Sequence, residues 1–151
     1  MHCSVWKIKE FPELSTSELY EILKVRQEVF VVEQTCHYLD ADGRDEAAIH
    51  IWCKTEGKIS AYCRIFAPGL KYEEASIGRV LTHQDFRGKN LGRSLLQIAI
   101  DAIGTRFGAA GIRISAQDYL LKFYSEFGFV DTGHKYSEDD IPHTEMYKRG
   151  N

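Results

Sequence analysis

Arg87-Gly88-Lys89-Asn90-Leu91-Gly92-Arg93 stands between an apolar strand candidate ending at Thr82 and a helix with Leu91, Leu95, Ile98, Ala99, Ala102 and Ile103 on one face. The first turn of such a helix has amides without intrahelical partners, and its dipole favours negative charge there. Gly88 and Gly92 let the backbone turn and approach a ligand closely. Arg87, Lys89 and Arg93 add positive charge, so the segment reads as a pyrophosphate site. The glycines alone also fit a plain strand-to-helix connection. Two better-known phosphate loops are excluded. A Walker A loop needs four residues between its glycines and then Lys-Ser or Lys-Thr, whereas Lys89-Asn90-Leu91 intervene here and Arg93-Ser94 follow. No Gly-x-Gly-x-x-Gly run is present, so a Rossmann-type dinucleotide site lacks support.

Working outward, the pattern predicts strands over Val5–Lys9, Ile49–Lys54, Ile59–Phe66, Ala75–Thr82, Ile112–Ala116, Phe129–Tyr136 and Thr144–Lys148. Ser15-Thr16-Ser17-Glu18 is a capping box that starts a helix running to about Val31, and a third helix is expected over Tyr119–Phe127 before Gly128. The order β-α-β-β-β-α-β-α-β-β predicts an α/β (α+β) fold, a mixed sheet with helices on both faces, in one domain over residues 1–151.

The formal charge of −3 argues against a general electrostatic grip on nucleic acid. No apolar run is long enough to span a bilayer, and the N-terminal residues have no secretory-type apolar core, so a cytoplasmic location without membrane attachment is expected. Cys3, Cys36, Cys53 and Cys63 have no CxxC or zinc spacing, and read as reduced, mostly structural thiols. Asp40-Ala41-Asp42-Gly43-Arg44-Asp45 has its glycine at position four and Ile51 at twelve, which does not fit an EF-hand. No metal is expected. A homodimer is compatible with the sequence, which does not specify one.

The loop Arg87–Gly92 resembles the Arg/Gln-x-x-Gly-x-Gly/Ala loop of GNAT acetyltransferases, with Asn90 where the first motif glycine usually stands. Asparagine tolerates positive φ better than most residues. Gln117-Asp118-Tyr119-Leu120-Leu121-Lys122-Phe123-Tyr124-Ser125-Glu126-Phe127-Gly128-Phe129 resembles that family's second motif, with Gln117 for the usual asparagine and Leu120 for alanine. Arg26–Gln34, Asp42–Asp45, Ser76–Val80 and Ile141–His143 resemble the ElaA-like branch. The first of these segments is also similar to acyl-homoserine-lactone synthases. The resemblance implies a GNAT fold and an acetyl-coenzyme A donor. It implies cofactor contacts from Val80, Leu81, Thr82, Arg87, Gly88, Lys89, Asn90, Leu91, Gly92, Arg93 and Gln117, and an acid role for Tyr124.

Amide formation needs a neutral amine, because a free alkyl ammonium with a pKa near 10.4 cannot attack a thioester. A backbone amide near Leu81 or Thr82 is the expected oxyanion donor. For the base, Glu28, Glu33, His50, His143 and a water relay all stay open. Arg26 and Arg79, charged within apolar patterns, are expected to face a cleft or a carboxylate, and with Glu33 and His143 form the candidate acceptor set. The expected partner is a small-molecule or peptide amine. The competing readings are a lactone-synthase-like acyltransferase and a non-catalytic acyl-coenzyme A sensor.

Overall fold

The structure is a computed structural model that describes residues 3–150; Met1, His2 and Asn151, the ends of the expected 1–151 domain, lie outside the described residues. β1 (Lys7–Glu10), β2 (Ile49–Thr55), β3 (Lys58–Phe66) and β4 (Ser76–Thr82) form one antiparallel sheet in that order. A second antiparallel sheet has the order β5 (Ile112–Gln117), β7 (Ile141–Lys148), β6 (Val130–Glu138). The two meet where Ala75 pairs in parallel with Ile112: Arg113 N–H donates to the Ala75 carbonyl at 2.9 Å, and Ala75 N–H to that of Gly111 at 3.1 Å. Beyond this point β4 and β5 separate, and a split opens between their C-terminal halves.

A bulge in β4 helps to open it. Tyr62 pairs with Leu81 but Arg64 pairs with Gly78, so β4 holds one extra residue at Arg79–Val80. Arg79 has φ +51, a left-handed conformation that costs a non-glycine residue about 1–2 kcal/mol. Its side chain is tied down in compensation: Nε donates to Asp40 Oδ1 at 2.9 Å, and the guanidinium lies over the Tyr38 ring.

α1 (Thr16–Arg26) starts as the capping box predicts, with Glu18 N–H on Ser15 Oγ at 3.0 Å and Ser15 N–H on Glu18 Oε1 at 2.9 Å. The chain then stays helical to Glu33, past the expected end near Val31, but in a wider form. Gln34 N–H reaches back to Val29 and Cys36 N–H to Val31, the i→i+5 bonding of a π-helix, a feature common at functional sites. α2 (Leu91–Phe107) leaves at Gly108 as expected. The third helix is shorter than the periodicity implies: Asp118–Leu120 is a 3₁₀ turn and α3 spans only Leu121–Ser125. Ser125 Oγ takes up the Lys122 carbonyl, and Phe127 and Gly128 close i→i+3 bonds, which tighten the end before Gly128 turns out at φ +91.

Strand alternation divides the core between the two faces. On one, Leu95, Leu96, Ala99 and Ile103 of α2 bury against Ile51, Ala61, Cys63, Ile65 and Ile77. On the other, Ile22, Val25, Val29 and Phe30 cover Trp52, Tyr62 and Leu81. Each large side chain so buried contributes roughly 1.5–3 kcal/mol. All four cysteines are free thiols, and Cys53 and Cys63 are core residues. Among the described residues no helix is long and apolar enough to cross a membrane.

Candidate active site

Two clefts flank the β4–β5 split. The larger, about 460 Å³, runs from the split to the start of α2 and is lined by Val80–Thr82, Phe86–Gly88, Asn90–Arg93, Tyr119, Phe123, and Glu33 of the π-helix. The smaller, about 100 Å³, lies between β4 and the β6–β7 hairpin; Tyr38, Arg64, Gly78, Arg79, Tyr124, Glu138 and His143 are among its walls. Phe30, Gln34, Val80, Gln117 and Leu120 line both, so the clefts meet across the split. There the Gln34 and Gln117 amides face each other at 3.4 Å.

The large cleft is built chiefly from backbone. Asn90 caps α2 in the left-handed conformation (φ 61), as its substitution for glycine requires, and its side chain makes no capping bond. No acidic residue sits in the first turn, so the amides of that turn are free to meet an anion. Gly88, at φ +82, makes the turn. Gly92 does not; it is helical, and a Cβ there would lie 3.7 Å from both Thr82 and Phe123, which makes its role closeness of approach. His83 N–H donates to the Ser60 carbonyl while the Thr82 carbonyl accepts from Arg87 Nε. By antiparallel alternation Leu81 therefore turns its amide to β3, and Thr82 turns its amide into the split. Of the two expected oxyanion donors, Thr82 is the one that faces the cleft.

The cations of the loop are less open than the sequence implied. Arg87 holds Glu33 through both terminal nitrogens, which keeps that carboxyl below its ordinary pKa, and Arg93 holds Glu126. Lys89 does not line the cleft; its ammonium stands 5.9 Å from the Phe86 ring centroid.

The small cleft is built from side chains. Its floor is an ion network in which Arg26 holds Asp40 (2.9 Å) and Asp45 (2.6 Å), Arg64 holds Asp45 (2.7 Å) and Asp42 (2.9 Å), and Arg79 holds Asp40. Three positive and three negative charges cancel. Burial opposes ionisation of Asp42 and Asp45, but Arg64 holds the former well below the usual carboxylate range, and Arg26 with Arg64 lowers the latter.

The geometry sets several of the acceptor and base candidates apart from the small cleft. Arg26 is fully buried and spent on two aspartates, so it supports the cleft without lining it. Glu33 belongs to the large cleft and pairs with Arg87. His50 is also fully buried, between the Tyr62 hydroxyl (2.7 Å) and the Asp45 carbonyl (2.9 Å), and burial lowers its pKa, so it stays neutral and out of reach. Glu28 lines neither cleft and sits 3.7 Å from His83.

Arg79 and His143 do line the small cleft. His143 Nδ1 lies 2.7 Å from the Ile141 carbonyl, which can only accept, so Nδ1 carries a proton, and Nε2 stands 3.8 Å from Glu138. Tyr124 is packed edge-on between Phe123 and Phe129 and opens to the small cleft. Burial pushes its phenol well above the ordinary value, so it keeps its proton through neutral pH. Arg64, Gly78 and Gln34 went unremarked as site residues; a lone arginine inside the apolar run Ile59–Phe66 was the signal for the first.

A family model described as the acetyltransferase (GNAT) domain matches residues 19–149. A UPF0039 protein of Synechocystis is 40% identical over 145 residues, covering 95% of this chain and 94% of the relative. The crystal structure of ElaA from Escherichia coli is similar at a TM-score of 0.91 and 33% identity, over 98% of this chain and all of that one (100%). An acyl-CoA N-acyltransferase from Pseudomonas aeruginosa matches at a TM-score of 0.90 and 35% identity, over 96% of this chain and 99% of the other.

Proposed function

This chain belongs to the GNAT acetyltransferase family, in its ElaA-like branch, and on that premise we propose that it transfers acetyl from acetyl-coenzyme A to a primary amine by direct attack. The observation that carries this reading is the meeting of the two clefts at the split, with free helix amides at the far end of one and Tyr124 in the wall of the other. The amides of Leu91–Arg93 fit a pyrophosphate, and the unpaired edge of β4 at Val80–Thr82 fits the extended amide chain of pantetheine.

The acceptor amine, entering through the small cleft, loses its proton to His143 Nε2, and its lone pair attacks the thioester carbonyl. Thr82 N–H donates to the oxyanion that forms. Attack forms the C–N bond; collapse breaks C–S, Tyr124 gives its proton to the departing sulfur and takes back the second proton of the amine nitrogen, and His143 releases the first to solvent. The proton ledger closes with amide and free thiol as products.

The test is thiol release from acetyl-coenzyme A with a panel of primary amines. Amine-dependent release is expected. Tight coenzyme A binding with no release across the panel would leave a sensor rather than an enzyme.

A further inference from the structure

Among the described residues two buried side-chain polar atoms have no hydrogen-bond partner, Arg64 Nε and Ser76 Oγ. Arg64 pairs across the ladder with Gly78, and Phe66 with Ser76, so both orphans project on one face of adjacent register positions. An unsatisfied buried donor is costly, and a charged one more so. Arg64 is 2% exposed and both its terminal nitrogens bond Asp42 or Asp45, so Nε is the guanidinium nitrogen left without a partner.

That face borders the small cleft, and the cleft is kept open there. Gly78 lines it, its φ is not in the left-handed region, and a Cβ on it would meet nothing within 4 Å. Neither backbone conformation nor protein packing accounts for a glycine at this position. Gly78 stands directly opposite Arg64 in the ladder, so a Cβ on it would be about 5 Å from that of Arg64. The glycine therefore leaves room for something that is not protein.

We propose that the small cleft holds an anion subsite, Arg64 Nε–H beneath Gly78, and that the acceptor is a small amine bearing a carboxylate, of amino-acid size. The carboxylate accepts from Arg64 Nε. The amine of the acceptor points toward Val80 and Tyr124, where the clefts join. A carboxylate suits the position better than a neutral group, because the orphaned donor belongs to a guanidinium and charge-assisted bonds are the stronger ones. The cleft's small volume, about 100 Å³ against about 460 Å³ next door, keeps the entering part of the acceptor small. The reading of this cleft as the acceptor side rests on the acetyl-transfer proposal above; the subsite itself does not.

The experiment sets glycine, β-alanine and 4-aminobutyrate against their carboxamides and the matching alkylamines. Calorimetric binding to the protein–coenzyme A complex and thiol release from acetyl-coenzyme A are both measured. At least one carboxylate is expected to bind, and to react, about ten- to hundredfold better than its amide and alkylamine, the worth of one charge-assisted hydrogen bond. Gly78→Val, which fills open space and leaves the ion network intact, is expected to abolish that preference while coenzyme A affinity holds. Equal binding of the three series, binding of none, or a preference unchanged in Gly78→Val would overturn the subsite. Preferential carboxylate binding without acetyl transfer to any compound would leave the subsite standing and overturn the transfer reading instead.

Discussion

The two clefts are made of different material. The large one is walled by main chain: the left-handed Asn90, the turn at Gly88, the free amides of α2 and the outward edge at Thr82. The small one is walled by side chains from distant segments, held by three arginines and three aspartates contributed by α1, the 40–45 loop, β3 and the β4 bulge. A backbone site recognises what every donor molecule shares, and tolerates substitutions that keep its φ and ψ, as Asn90 does. A side-chain site depends on particular groups, and can change its ligand with one of them.

The strongest challenge to this contrast lies where the clefts meet. Tyr124→Phe keeps the ring between Phe123 and Phe129 and removes one proton. It is expected to lower kcat roughly 10²–10⁴-fold with coenzyme A binding unchanged, as steady-state kinetics and calorimetry will read. Because burial raises the phenol, the wild-type kcat should show no alkaline fall from this group below about pH 10, its ordinary value. Full activity in the variant would remove Tyr124 from the chemistry.

Next in size is the ion network. Arg26→Met leaves Asp40 and Asp45 short of a buried partner, and should cost about 3–5 kcal/mol in denaturant unfolding. The pH dependence follows from the lowered Asp45 carboxyl. Its stabilisation is present above the unfolded aspartate value of about 3.9 and is lost as pH falls through the folded one. With Arg26 gone that acid-side fall should be shallower. A variant as stable as wild type would show that the small cleft does not need its floor.

Gly92→Val tests the backbone cleft alone. Its Cβ makes ordinary contacts with Thr82 and Phe123, so the fold should hold while the branched side chain intrudes where a ligand must approach. A loss of at least about tenfold in coenzyme A affinity is expected, or ~1.4 kcal/mol. Unchanged affinity in a folded variant would place the pyrophosphate elsewhere.

The smallest effect is at Glu33. Its carboxylate competes with any phosphate for Arg87, so Glu33→Gln should tighten coenzyme A by a few-fold, within the ~1 kcal/mol of a partly exposed pair. Calorimetry at two salt concentrations should show a steeper salt dependence in the variant, since one more cation is then free. Weaker binding would mean that Glu33 orients Arg87 instead of occupying it.

Legibility followed the same division. The loop from Arg87 to Arg93 was readable because its signals are local: glycine spacing, a helix start and clustered cations fall within seven residues. Tyr124 came with a motif of similar compactness. Arg26, expected to face a cleft or a carboxylate, faces two aspartates, and the base candidates His50 and Glu33 are buried or paired; an ionisable side chain carries no mark of its partner in the linear chain. Arg64 and Gly78 face each other only through the β3–β4 register, which the bulge shifts by one residue, and no periodicity in either strand announces a bulge.

By itself the sequence determined the order of strands and helices, the two-faced core and the glycine turn that leads into α2. Each of these depends on side-chain period, capping or backbone permission within a few neighbours. Only the tertiary structure decided that β4 and β5 part beyond Ala75, which cations are already neutralised, and which buried donor is left without a partner. Those are outcomes of contacts between segments tens of residues apart, where the free energy of a charge or an N–H depends on what the fold brings beside it.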